Sequence, residues 1–221
     1  MILKAAIPLF SPFPSVVEAL PRIRLRLPGL SPEERLRRAA SRGGPVALGT
    51  PAAPYEPAGR SPLAVLEGFE ELEIAVVTRS PEITGELPLL ADLDRRSSVT
   101  VDVMVPAADA VLAWKLEPDG PSPRGRLEAV ARLAAEGIAV RVLCLLVEGV
   151  NDGEATLRKL LAAARDAGAW DVRALPAARS HFLPHLCLLP HLRPRTGAGG
   201  GATFRRLRLE HGFPREMAGR G

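Results

Sequence analysis

Lysine is nearly missing from this chain of 221 residues, where Lys4, Lys115 and Lys159 are the only lysines among 29 basic residues. Aromatic side chains account for 4%, and there are two cysteines, Cys144 and Cys187. Thiolates so far apart cannot by themselves anchor an iron–sulfur cluster, which needs a compact set of sulfur ligands. Both cysteines sit in apolar runs, Val142-Leu-Cys-Leu-Leu146 and His185-Leu-Cys-Leu-Leu189, and read as small buried hydrophobes. No stretch reaches the roughly 18 uninterrupted apolar residues of a membrane span. The opening Met1-Ile-Leu-Lys-Ala-Ala-Ile-Pro8 lacks the charged lead, long apolar core and small-residue cleavage site of a secretory signal. A cytoplasmic protein without a membrane partner is therefore expected, and a disulfide is not.

What is present is arginine, with alanine, glycine and proline. The net charge of +4 permits contact with phosphates, but no basic stripe argues for it. The bias is read as the mark of a GC-rich coding sequence. With 47% hydrophobic and 24% charged residues, the chain can bury one sizeable core.

Short β-rich runs alternate with longer segments of helical period, the pattern of parallel βαβ construction. Strands are predicted over Val46–Thr50, Glu73–Thr78, Val99–Val105, Ala139–Val147 and, more weakly, Asp171–Leu175. The continuous apolar character of the second and fourth suits strands covered by helices on both faces. Helices are predicted over Pro62–Glu71 and Glu82–Asp94, with Pro88 bending or starting the latter. A helix opening at Ser122-Pro123 carries Leu127, Val130, Leu133 and Ala134 on one face and stops at Gly137. Another is capped by Asn151 or Asp152 and ends at Gly168. Ser31 caps a short helix reaching Ser41 within an otherwise proline-rich segment.

The expected organisation is one α/β domain over residues 1–194, with a Pro-rich segment at 1–45 and recognisable βα units at 46–175. Residues 195–221 are expected to form a flexible Gly/Arg-rich tail, with Arg195–Ala202 as a linker.

Five stretches carry a resemblance. They are Val46-Ala-Leu-Gly-Thr-Pro-Ala-Ala-Pro-Tyr-Glu-Pro57, Val76-Val-Thr-Arg-Ser80, Val99-Thr-Val-Asp-Val103, Trp114-Lys-Leu-Glu-Pro-Asp-Gly-Pro-Ser-Pro123 and Gly149-Val-Asn-Asp152. In order and spacing they resemble the radical SAM superfamily, in the branch of spore photoproduct lyase and its bacterial relatives. The resemblance implies an incomplete (β/α)6 partial barrel of about five parallel strands with flanking helices. It also implies that strand ends surround S-adenosylmethionine and a four-iron cluster held by a Cys-x3-Cys-x2-Cys loop. That motif is absent from this chain, which reads as starting just after the place the loop would occupy.

In the family, the loop after the next strand reads Gly-Thr-x-Thr-Asp-Pro-Tyr-x-Pro-x-Glu. Here Gly49, Thr50, Pro54, Tyr55 and Pro57 match it, while Ala52, Ala53 and Gly59 replace polar members. On the third strand Met104, Val105 and Pro106 stand where relatives place serine and threonine. Such replacements remove hydrogen bonds to a cofactor and lower the cost of an empty site. They favour a degenerate member over a simply truncated one.

The resemblance and the rule that ligands bind at strand C-termini give Gly49, Thr50, Tyr55, Thr78, Arg79, Ser80, Asp102 and Glu117 as candidate cofactor-binding residues. No catalytic residue or metal ligand is assigned. No cofactor is expected for this chain alone, and S-adenosylmethionine with the cluster only if another segment completes the barrel. The expected role is non-catalytic or accessory binding, with a partner or a second copy covering the open barrel edge. The alternative is a piece of a SAM-dependent radical enzyme, conceivably directed at nucleic acid.

Other groupings carry less. His181, His185, Cys187 and His191 have metal-like spacing, but Pro184, Pro190 and abundant leucines favour a packing segment. Glu117-Pro118 is equally a helix stop. An anion site from Thr50, Thr78, Arg79, Ser80 and Arg124 is conceivable. Gly197–Gly201 lacks the flanks of a phosphate loop, and Arg205-Arg206-Leu-Arg208 reads as a solvated face.

Overall fold

The computed structural model describes residues 31–43, 45–51, 53–57, 59, 61–176 and 199–214. The group His181, His185, Cys187 and His191, most of the proline-rich N-terminal segment and the last seven residues (215–221) lie outside them.

Ser31 caps α1 (Pro32–Ala40) reciprocally: its hydroxyl accepts from the Glu34 amide at 3.1 Å, and the Glu34 carboxylate accepts from the Ser31 amide at 2.7 Å. The chain then runs β1 (Val46–Leu48), a 3-10 turn (Pro62–Leu66), β2 (Glu73–Thr78) and a second 3-10 turn (Pro81–Glu86) that leads into α2 (Leu87–Arg96). It continues through β3 (Ser98–Met104), α3 (Ala110–Leu116), α4 (Pro123–Ala135), β4 (Ala139–Leu146), α5 (Glu154–Asp166), β5 (Asp171–Pro176) and α6 (Gly199–Glu210). The strands form one parallel sheet in the order β1-β2-β3-β4-β5, so each pairs with its neighbours in sequence. This is the α/β architecture expected from the alternation of strand-like and helix-like segments.

The side chains alternate cleanly across the sheet. Ile74, Val76, Val99, Val101, Val103, Val140, Val142, Cys144 and Val172 belong to the main core, together with Leu90 and Leu93 of α2, Val130 and Leu133 of α4, and Leu157, Leu160 and Leu161 of α5. Val77, Met104, Leu143 and Leu145, with Leu175 against them, form a separate small cluster on the other face. No described helix contributes to that second cluster. Helical cover on both faces, expected from the apolar runs, is therefore not found among the described residues. The described helices thus pack on one face of the sheet, and the strands with their flanking helices make the expected α/β partial-barrel layout.

Ser122 caps α4 by accepting from the Gly125 amide at 3.2 Å, and Pro123 occupies its first turn. The helix expected over Pro62–Glu71 is only the 3-10 turn Pro62–Leu66, and Glu71, with φ +57°, lies outside helical backbone. Pro88 falls in the first turn of α2, where a missing amide hydrogen costs nothing. Neither Asn151 nor Asp152 caps α5, whose N-cap is Gly153. Asp152 instead accepts from the Gly149 amide at 2.8 Å, and Asn151 turns inward.

The tail expected to be flexible contains α6, with Phe204, Leu207 and Phe213 buried in the main core. The burial of two phenylalanines outweighs the glycines at the start of the helix. No helix among the described residues is long and apolar enough to cross a membrane.

Candidate functional site

At the C-terminal end of β1 the chain turns sharply through Gly49, whose φ is +74°. A Cβ there would stand 2.4 Å from both the Tyr55 nitrogen and the Val77 oxygen. Only glycine lets the Tyr55 backbone approach β2 and donate its amide hydrogen to Val77 O at 2.6 Å. Thr78 secures the same loop by donating its hydroxyl to Tyr55 O at 2.5 Å, while accepting from the Ser80 amide at 3.0 Å. Thr50 folds back on Ala53, accepting from its amide through the side chain at 3.1 Å. Ser80 accepts from the Glu82 amide at 3.3 Å and caps the following 3-10 turn. Arg79 reaches across to Glu56, with Nε at 3.0 Å and Nη2 at 2.9 Å from Oε1.

Tyr55 donates its phenol to Glu86 Oε1 at 2.6 Å. Burial, and then the Glu86 bond, push its pKa from 10.0 up to about 12. Because this is the sole tyrosine, an ultraviolet titration of tyrosinate reads it alone. The midpoint is expected near 12, and a midpoint near 10 would mean that the loop does not hold the phenol as described. The folded pKa lies above the unfolded one, so the stability contributed by neutral Tyr55 is complete below about pH 10 and is lost as pH rises through about 12.

Six of the predicted residues, Gly49, Thr50, Tyr55, Thr78, Arg79 and Ser80, thus meet in one loop cluster on β1 and β2. Glu117, Asp102 and Arg124 have their partners elsewhere. Arg124 is exposed and paired with Glu128 at 2.8 Å, so it does not join an anion site. Glu117, at the C-cap of α3, bonds to Arg126 Nη2. Arg126 is almost fully buried, and donates through Nη1 to Met104 O at 2.7 Å and through Nε to Pro121 O at 2.9 Å. It pins the start of α4 to the end of β3. Gly120 packs against this pair so closely that a Cβ would lie 2.6 Å from Arg126 Nη2.

Asp102 is fully buried on the face opposite the helices and takes a bidentate bond from Arg141, its register partner on β4, at 2.6 and 2.7 Å. Burial alone would lower the Arg141 pKa. The bond and charge of Asp102, with the charges of Asp171 and Glu73, more than offset it and hold the guanidinium firmly charged. Asp171, next in register on β5, accepts from Arg173 and from Arg208 of α6. Asn151 joins the ends of β3 and β4: its Nδ2 donates to Pro106 O and Leu145 O at 2.8 Å each, and its Oδ1 accepts from the Val147 amide at 2.7 Å.

Arg126, Arg141 and Asp171 were not singled out from the sequence. The available signal was a charge of each sign, Asp102 and Arg141, interrupting two successive predicted strands.

A four-iron cluster does not fit the described residues. Cys144 is the one cysteine among them; it is fully buried with its sulfur 3.6 Å from Pro106 O. Burial, and then the charge of Glu117, push its thiol up to about 12, far from the thiolate that iron requires. The hydroxyls expected near S-adenosylmethionine make bonds within the protein: Thr78 donates to Tyr55 O, and Thr50 and Ser80 accept from the amides of Ala53 and Glu82.

No family model matches the chain. Uncharacterised proteins of Mycobacterium bovis and Mycobacterium tuberculosis are 29% identical over 145 residues, which covers 62% of this chain and 42% of each relative. The chain thus spans about two fifths of the length of the curated relatives it matches. Among solved structures, a radical SAM methyltransferase from Sphaerobacter thermophilus superposes with a TM-score of 0.46 at 21% identity, over 66% of this chain and 40% of that one.

Proposed function

We propose that this chain is a radical-SAM-like scaffold of the spore photoproduct lyase type, which acts as a binding or accessory protein and performs no iron–sulfur chemistry alone. The observation that carries this reading is that the polar side chains matching the family segments have internal partners. Thr50, Thr78 and Ser80 bond to backbone, Arg79 to Glu56, Tyr55 to Glu86, Glu117 to Arg126 and Asp102 to Arg141. A site built to orient a polar cofactor leaves donors and acceptors aimed at it, whereas these hold the strand ends together. The cytoplasm is the compartment proposed. A protein partner or a second copy would pair along the outer edge of β1.

A second reading is favoured by the shared length: this chain would be part of a SAM-dependent radical enzyme, possessing its cluster loop elsewhere. Anaerobic reconstitution with iron and sulfide separates the two. The purified chain is expected to bind less than about one iron and to show no heat of binding with S-adenosylmethionine. About four irons per chain with a sulfide-to-iron charge-transfer band would defeat the accessory reading outright.

A further inference from the structure

α6 has little of its own to keep it helical. Gly199, Gly200 and Gly201 begin it, and glycine is among the poorest helix formers. Glu210 ends it, placing negative charge at the negative pole of the helix dipole. Arg206 precedes Glu210 by four residues, the less favourable order for such a pair, whereas Glu154 precedes Arg158 on α5 in the better one.

What holds α6 is its docking. Phe204 and Leu207 enter the main core, as does Phe213 just beyond the helix. Arg208 is buried against Asp171, with Nε 3.0 Å from Oδ1, and Arg165 of α5 donates to His211 O. Over this lies a closed ring of four charges. Arg158 reaches Glu154 at 2.8 Å and Glu210 at 3.0 Å, and Arg206 reaches Glu154 at 2.8 Å and Glu210 at 3.2 Å. Two of these links, Arg158–Glu210 and Arg206–Glu154, cross between the helices. All four side chains are between 39% and 53% exposed, so salt screens the ring while leaving the apolar contacts in place.

We infer that α6 is an ionic latch: it folds by docking and releases from α5 and β5 as a unit while the sheet stays intact, with the four-charge ring setting how often. Release withdraws Arg208 from Asp171 and uncovers the apolar surfaces that Phe204 and Leu207 occupy. Ionic strength then controls access to this side of the protein without disturbing β2, β3 and β4.

Hydrogen exchange of the full chain, followed by mass spectrometry, tests this. Between about 0.1 M and 1 M sodium chloride the screening length falls from roughly 10 Å to 3 Å. Amides of residues 203–211 are expected to lose roughly fivefold to tenfold of their protection, while those of β2, β3 and β4 change less than about twofold. Arg206→Glu is expected to raise exchange in α6 about tenfold at low salt and to flatten its salt response. Leu207→Ala is expected to raise it at both salt levels and to leave the response intact. The latch is overturned if the unmodified chain shows no salt response in α6, or if α6 and the strands lose protection together.

Discussion

Arg141→Ala is expected to destabilise the fold by about 3–5 kcal/mol, because it strands the Asp102 carboxylate in the sheet without its bidentate partner. Asp102 is fully buried and Arg141 is 6% exposed, so little water can take the place of the lost guanidinium. Asp171 and Glu73 also lose a nearby positive charge. Such a penalty is a large share of the roughly 5–15 kcal/mol that keeps a domain folded. Urea denaturation followed by circular dichroism reads it as a lower midpoint. The paired replacement Asp102→Leu with Arg141→Met is expected to recover most of the loss, since a buried ion pair gains little over packed apolar groups. If the single variant unfolded at the parent's midpoint, the Asp102–Arg141 pair would have to be solvated rather than buried.

Asn151→Ala should cost about 3 kcal/mol by leaving the Val147 amide and the carbonyls of Pro106 and Leu145 short of a partner. All three bonds are between 2.7 and 2.8 Å, and they tie together the segments that follow β3 and β4. Asn151→Asp should be worse still: it keeps the acceptor for Val147 but aims an oxygen at two carbonyls. The same substitutions loosen the cover over Cys144, whose sulfur lies 3.8 Å from Asn151 Nδ2. In a Cys187→Ser background, reaction with a thiol reagent is therefore expected to be very slow in the parent and markedly faster in Asn151→Ala. Equal labelling rates would show that Asn151 does not close this end of the sheet.

The strands were legible because parallel strands in a buried sheet are written as apolar runs: those around Ile74 and Val142 have little else in them, and around Val101 valines alternate with Ser98, Thr100 and Asp102. α4 was legible from Ser122, Pro123 and Gly137, residues whose backbone preferences act locally. The candidate loop was legible as a group: Gly49, Thr50, Tyr55 and Thr78 do meet. What their polar atoms do was not legible, because a hydroxyl that binds a ligand and one that binds its own backbone look alike in a sequence. Asn151 was read as a helix cap for the same reason, since a side-chain amide caps a helix or bridges two strand ends with the same groups. The docking of α6 was not legible, because its glycines speak through local propensity, whereas Phe204, Leu207 and Arg208 act through surfaces far away in the chain.

The neighbour-by-neighbour pairing of the sheet bears on how the chain is made. None of the five described strands waits for one synthesised much later, so each βα unit can dock on the one before it as it leaves the ribosome. Such pairing permits growth by accretion, in which α6 emerges after the other described elements.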